Sequence, residues 1–301
     1  MGHVQQYGIY YNPSAGHGLA EKNVKIVQEQ LSKHDIQPIL MTALSTEEAI
    51  TLVANRLSGL DALIVVGGDG TLNVAVTAMI RRKLTVPLGL IPCGRVNNFA
   101  KRWRIPTDVH EALQIIFDRH FHRVGIGNCD DQRAIVSYLD FGNLADLAGD
   151  VREQQQHHDR WSKRLTYFLT ALRRAGRHKS RLVSYQMDAK QPETYKTWFA
   201  LLSTTAPNDS GDNPLRFHLS ILKDIHRRQV IPYIYFAWSG HMHQSDAITS
   251  LTPRKLTLQA MADEKVVTRI DGDTGPYLPA EITYCPNVLP VFMQHLVTPE
   301  P

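Results

Sequence analysis

One stretch constrains this chain more than any other: Leu63-Ile-Val-Val-Gly67-Gly68-Asp69-Gly70-Thr71-Leu72-Asn73. Leu63 to Val66, apolar and mostly β-branched, read as a buried strand, and a helical pattern resumes at Leu72, Val76, Met79 and Ile80. A strand that runs through glycines into a helix brings bare backbone and a helix N-terminus up to phosphate oxygens. Gly67, Gly68 and Gly70 carry no Cβ, so the chain can turn sharply and a phosphate can approach the main chain. Asp69 is poorly matched to a polyphosphate unless a metal ion or a hydroxyl proton stands between them. The loop therefore points to phosphoryl transfer. A tight surface turn would account for G-G-D-G alone, but not for the strand and helix that frame it.

Two further junctions have the same layout. Leu88, Leu90 and Ile91 predict a short strand, broken at Pro92 and Gly94 and followed by a helix carrying Phe99, Ala100 and Trp103. Near the N-terminus, Tyr7 to Tyr11 predict a first strand that ends in Asn12-Pro13-Ser14-Ala15-Gly16, with Ser14 or Asn12 available to cap the next helix. Strands over 5–12, 36–42, 61–67 and 86–92 alternate with helices over 17–33, 46–58, 70–83 and 95–103, and another helix is expected over 108–118. Such alternation gives a parallel sheet with right-handed crossovers. All three junctions would open at its carboxyl edge, where α/β proteins bind nucleotides. From Arg123 onward the rhythm changes to short strands, expected over 133–141, 181–188, 195–203, 215–223, 229–237, 254–261, 265–271 and 280–284, which suits an antiparallel sandwich. The stretch Thr204–Pro214 reads as a loop.

Asn12-Pro13-Ser14-Ala15-Gly16, the G-G-D-G-T-L-N run and Pro92-Cys93-Gly94-Arg95-Val96-Asn97-Asn98-Phe99-Ala100 resemble the diacylglycerol kinase catalytic-domain family. That family includes the bacterial soluble lipid kinases and the sphingosine and ceramide kinases. The likeness is dense over residues 5–106, thin over 125–265, and returns at Asp271-Gly272-Asp273, which is similar to the family's D-G-E. It implies an α/β, Rossmann-like ATP-binding domain at 1–124, to which the tail 286–301 returns, and a mostly antiparallel β-sandwich lipid-substrate domain at 125–285, with the site in the cleft between them. The implied reaction is ATP-dependent transfer of the γ-phosphoryl group to a lipid hydroxyl, diacylglycerol-like or sphingoid-like.

The implied site follows residue by residue. ATP and its phosphates fall to Asn12, Pro13, Ser14, Gly16, Gly67, Gly68, Gly70, Thr71, Gly94, Arg95, Asn97 and Asn98, with Asp69, Asp271 and Asp273 as the catalytic carboxylates. Mg2+ would bridge the phosphates, because the developing charge needs a cation; no residue is assigned as its ligand. Arg95 can supply part of that charge by bidentate contact. Asp69, or the Asp271/Asp273 pair, would accept or orient the lipid hydroxyl proton. A hairpin turn is the competing account of Asp271-Gly272-Asp273.

The departures from the family are equally specific. Arg95 stands where a Thr or Ser is usual, Asn98 where N-D-F-A has its acid, and Val74 where G-G-D-G-T-L-N-E has its glutamate. Val124-Gly125 stands for a V-D pair, and D-G-D for D-G-E. A catalytically impaired pseudokinase that binds nucleotide or lipid as a regulator is therefore the alternative. NAD kinase, which shares a G-G-D-G loop, is a third reading that the Pro92–Ala100 segment and the D-G-D element disfavour.

At 301 residues the chain is long for one domain and natural for two. Its longest apolar runs, such as Ile231–Trp238, are too short to span a bilayer, and no signal-peptide pattern precedes Tyr7. Cys93, Cys129 and Cys285 lack paired spacing, which predicts a reducing, cytoplasmic setting without disulfides. Net charge is only +4, but Arg160, Lys163, Arg164, Arg173, Arg174, Arg177, Lys179 and Arg181 crowd one segment, with Trp161, Leu165, Phe168, Leu169 and Leu172 between them at helical spacing. The plainer account of this basic helix is a solvated face on a packed helix; the functional one is peripheral contact with an anionic membrane surface. No nucleic-acid-binding signature is present, so nucleic acid is not expected as a partner. Gly240-His241-Met242-His243 with Asp246 reads as a loop rather than a metal site. Nothing in the sequence fixes the oligomeric state.

Overall fold

The computed structural model describes residues 4–13, 15–142, 180–204, 216–223, 247–261 and 264–294. The chain divides into two compact units: Met1–Ser137 with Thr204–Leu215 and Thr283–Pro301, and Tyr138–Ser203 with Arg216–Ile282. The basic segment from Arg160 to Lys179, the His241/His243/Asp246 group, Ser14, and the strand expected over 229–237 lie outside the described residues, while Arg181, the last of the basic residues, begins a strand.

In the first unit strands and helices alternate as β1 (Gln6–Tyr11), α1 (Leu19–Lys33), β2 (Gln37–Met41), α2 (Thr46–Arg56), β3 (Ala62–Gly67), α3 (Asp69–Arg82), β4 (Leu88–Pro92), α4 (Asn98–Arg102) and α5 (Val109–Phe117). The strands are parallel in the order β2-β1-β3-β4, with Gly8 opposite Leu63 and Leu63 opposite Leu88. All of β3 is buried, as a parallel strand covered on both faces must be. Alternate residues serve opposite faces: Leu63 and Val65 pack with Val53, Leu72 and Met79, while Ala62, Ile64 and Val66 pack with Val24, Leu31 and Ile116. Ser45 begins α2 with a capping box, its hydroxyl accepting from the Glu48 N–H and its own N–H donating to the Glu48 carboxylate.

The unit also takes in a hairpin, β5 (Phe121–Cys129) and β6 (Arg133–Ile135). Two buried polar residues on α3 hold it. Asn73 Nδ2 donates to the Ala134 carbonyl at 2.7 Å, and Thr77 Oγ1 accepts from the Ala134 N–H at 3.1 Å while donating to Asn73 Oδ1. Arg81 adds a bond to the Gln132 carbonyl and a bidentate pair with Glu47.

The second unit is antiparallel. Its strands are β7 (Tyr138–Gly142), β8 (Arg181–Met187), β9 (Glu193–Thr204, whose last residue belongs to the first unit), β10 (Phe217–Lys223), β11 (Ile248–Leu251), β12 (Lys255–Ala260), β13 (Val267–Ile270) and β14 (Asp273–Tyr277). They run in the order β14-β13-β7-β9-β8-β12, and β10 pairs with β9 and β11. The last strand, β15 (Ala280–Phe292), contributes Ala280–Ile282 to this unit; the remainder joins β4 in parallel at Val291 and Leu88. The strand expected over 133–141 is interrupted at Val136 and Ser137, whose carbonyls are taken by Thr204 instead of by strand partners.

Asp188 ties the β8–β9 turn, at φ 52°, to the start of β12. Its Oδ1 accepts from the N–H groups of Arg254 (3.1 Å) and Lys255 (2.9 Å), and its Oδ2 from Arg216 Nη1 at 3.0 Å. Burial alone would raise its pKa, but the two N–H donors and the Arg216 guanidinium outweigh it and hold the carboxyl below its ordinary value. The folded pKa is thus depressed, so the stabilisation is present above about pH 4 and is lost as pH falls through the folded value. Asp188→Asn is expected to cost about 1 kcal/mol at pH 7, allowing for partial exposure, and to flatten the acid limb of stability. Thermal melts of both proteins between pH 2 and 7 check this, and superimposable acid limbs would refute it.

Candidate active site

The loops that leave β1, β3 and β4 at their carboxyl ends meet, and glycine is what allows them to. The Cys93 N–H donates to the Gly67 carbonyl at 3.0 Å, carrying the β3–β4 pairing past the end of the strands. Beyond it the two loops cross backbone to backbone. A Cβ on Gly94 would lie 2.5 Å from Gly68 Cα, and one on Gly68 would lie 3.0 Å from Gly94 Cα. Gly16 of the β1 loop, at φ 65°, closes on the same place: a Cβ there would lie 2.4 Å from the Cys93 carbonyl oxygen. A Cβ on Gly67 would strike the Thr71 side chain at 2.3 Å, so this glycine lets Thr71 fold over the end of β3.

The helix after the crossing begins without a side-chain cap. Gly68 is the N-cap of α3, and the first intrahelical bond of the turn runs from the Leu72 N–H to the Gly68 carbonyl at 3.0 Å. The N–H groups of Asp69, Gly70 and Thr71 precede it and have no partner within the helix. Together with the helix dipole they form an end that favours an anion. Asn97 sits over the crossing at φ 54°: its Nδ2 donates to the Gly94 carbonyl at 3.0 Å, and its Oδ1 is buried without a partner.

Asp69 has a structural partner that its sequence did not announce. Its Oδ2 accepts the Asn98 N–H and its Oδ1 the Phe99 N–H, both at 2.9 Å, so one carboxylate caps the N-terminus of α4. Two of its four lone-pair sites are spent this way and two remain. Asn98 enters the site through its backbone, and Arg95 is exposed. Asn12 and Pro13 form the turn closed by the bond from the Ala15 N–H to the Asn12 carbonyl.

Asp271 and Asp273 belong to the second unit. Asp271 (φ 51°) and Gly272 (φ 88°) make the β13–β14 hairpin turn, with both turn residues left-handed as a type I′ turn needs. Asp271 is buried, its Oδ1 accepting from the Tyr138 N–H at 3.0 Å and its own N–H donating to the Tyr138 carbonyl at 2.9 Å. Asp273 is exposed.

Two departures from the family pattern are absorbed by packing. Val74 lies in the core beside Ala75, Val76 and Ala78. The space a side chain at Gly125 would need is filled by Tyr284, whose hydroxyl would lie 2.1 Å from such a Cβ. Burial pushes the Cys93 thiol up to about 11, so it is no nucleophile near neutrality, and all three cysteines are free. Sequence reasoning gave no role to Asn73, Thr77, Arg102 or Thr204. Asn73 lies inside the quoted motif, but its partner is 61 positions away.

Residues 6–129 match the diacylglycerol kinase catalytic domain. The diacylglycerol kinase of Staphylococcus saprophyticus is 33% identical over 141 residues, covering 46% of this chain and 46% of that protein. That of Staphylococcus aureus strain JH9 is 34% identical over 144 residues, covering 46% and 44%. The matched stretch thus spans less than half the length of either relative. A crystal structure of a diacylglycerol kinase from Bacillus anthracis has the same fold, with a TM-score of 0.70 at 15% identity over 99% of this chain and 100% of that one.

Proposed function

We propose, from the match of residues 6–129 to the diacylglycerol kinase catalytic domain, that the chain transfers the γ-phosphoryl group of ATP to a lipid hydroxyl. The observation that carries this reading is the Gly68–Gly94 crossing beside the open N-terminus of α3. Bare backbone, unspent N–H groups and the unpartnered Asn97 Oδ1 suit a polyphosphate and a ribose hydroxyl. The N–H groups of Gly70 and Thr71 hold phosphate oxygens, and the Thr71 hydroxyl lies at the same helix end. Asp69 uses its remaining lone pairs to orient a donor, such as the acceptor lipid's hydroxyl, in a loose transition state. Among the described residues no three His, Cys, Asp or Glu side chains stand together as a metal ligand set, so magnesium would be held chiefly by the phosphates it arrives with. When bound, it offsets the charge that develops on the phosphoryl oxygens. Asp271 and Asp273 stay in the proposal as second-unit carboxylates, Asp271 with its Oδ1 accepting from the Tyr138 N–H.

Among the described residues no helix is long and apolar enough to cross a membrane. Val74 and the Tyr284-filled space at Gly125 favour a second reading, a chain that binds nucleotide without turnover. Labelled ATP with magnesium, offered separately with diacylglycerol, a sphingoid base or NAD, decides among these. Label in a lipid is the expected result. Transfer to NAD alone overturns the lipid reading, and ATP binding without any transfer selects the second one.

A further inference from the structure

Helix α4 has five residues, too few to hold itself together in water, so its position must be imposed at both ends. Asp69 imposes the N-terminal end. At the other end Arg102 Nη1 donates to Thr204 Oγ1. Thr204 is 3% exposed and sits where the chain returns from the second unit to the first. Its N–H donates to the Ser137 carbonyl at 3.0 Å, and its hydroxyl lies 3.1 Å from the Val136 carbonyl and 3.2 Å from that of Ser137. The hydroxyl has a single hydrogen to donate, and it points to these carbonyls while its lone pairs face Arg102. The hydroxyl, 102 positions from Arg102 in sequence, therefore joins α4 to the backbone of Val136 and Ser137.

We infer that Thr204, acting through Arg102, is a positioning residue for the phosphate-facing loop Gly94–Asn97. The inference deepens the proposed function and rests on the nucleotide site it describes. Moving the C-terminal end of α4 tilts the N–H groups of Asn98 and Phe99 away from Asp69, and with them the Asn97 side chain over the crossing. Neither Thr204 nor Arg102 has to touch the nucleotide for this to matter.

Thr204→Val keeps the shape and deletes the hydroxyl; Thr204→Ser keeps the hydroxyl. In the nucleotide-free protein, hydrogen exchange at the Asn98 and Phe99 amides should speed up in Thr204→Val and stay at the wild-type rate in Thr204→Ser. With ATP, Thr204→Val should weaken binding on the order of tenfold, the scale of one lost hydrogen bond to a charged group. It should raise KM for ATP by the same factor while changing kcat little. Arg102→Met should match it, and the double variant should be no worse than either single one. Wild-type exchange and wild-type ATP affinity in Thr204→Val overturn the inference. A wild-type protein that binds no ATP overturns the kinase reading instead, and the exchange rates still report whether Thr204 holds α4.

Discussion

Asp69→Asn is expected to lose both stability and phosphoryl transfer, and to lose the first for a reason unconnected with chemistry. The carboxylate takes two backbone N–H groups, one on each oxygen, at 2.9 Å. An amide has one acceptor oxygen, so its NH2 must face the N–H of either Asn98 or Phe99. One hydrogen bond to a charged group is lost, about 1.5–3 kcal/mol, and a donor is pressed against a donor. Thermal unfolding should fall by about 2–4 °C per kcal/mol. Turnover should fall much further, because α4 and its N-cap Asn97 position the proposed phosphate site and because the carboxylate has lone pairs left for the reacting hydroxyl. Differential scanning fluorimetry and a labelled-ATP assay read the two losses separately. A variant as stable as wild type would show that Asp69 does not hold α4, and wild-type turnover would remove it from the mechanism. Asp69→Ala, which deletes both acceptors, should be the less stable of the two variants.

How much of this was legible in the chain depends on how local each signal is. The parallel half was readable almost element by element, because β3 is fully buried and α2, α3 and α5 carry apolar residues at helical spacing. The meeting of the three glycine loops followed from the rule that such junctions share one sheet edge. Hidden were the bonds that span the sequence. Asn73 reads as the last letter of a phosphate motif, yet it holds the Ala134 backbone. Asp69 reads as chemistry and is also a cap for a helix 29 positions on. No local pattern pairs Arg102 with Thr204. The last strand was expected over 280–284, whereas β15 continues through Pro286 and Pro290 to Phe292. Proline forfeits one ladder donor and tolerates strand geometry where that donor is not needed. Strands β5, β11 and β14 were passed over: β14 is short and holds Gly275 and Pro276, residues that argue against a strand when read in isolation.

Gly94→Ala is expected to disrupt the proposed nucleotide site with a single methyl. The new Cβ would lie 2.5 Å from Gly68 Cα, 3.2 Å from Gly68 N and 2.6 Å from Asn97 Oδ1. Asn97 can turn its side chain aside. Gly68 cannot retreat, because its carbonyl accepts the first bond of α3 and its chain neighbour Gly67 is bonded to Cys93. The two loops must therefore part, at an overpacking cost of about 1–3 kcal/mol or more. Parting them moves the Gly94 turn away from the uncapped start of α3, so ATP affinity should fall well beyond the loss in stability. Gly68→Ala probes the same crossing from the other side at 3.0 Å and should be milder. Gly59→Ala, whose Cβ would meet nothing within 4 Å, should leave ATP binding at the wild-type value. Calorimetric titration of ATP into the three variants, each also melted alone, tests that order. If Gly94→Ala binds ATP as wild type does, the nucleotide does not lie on the crossing, and the phosphate site must be sought elsewhere on the unit.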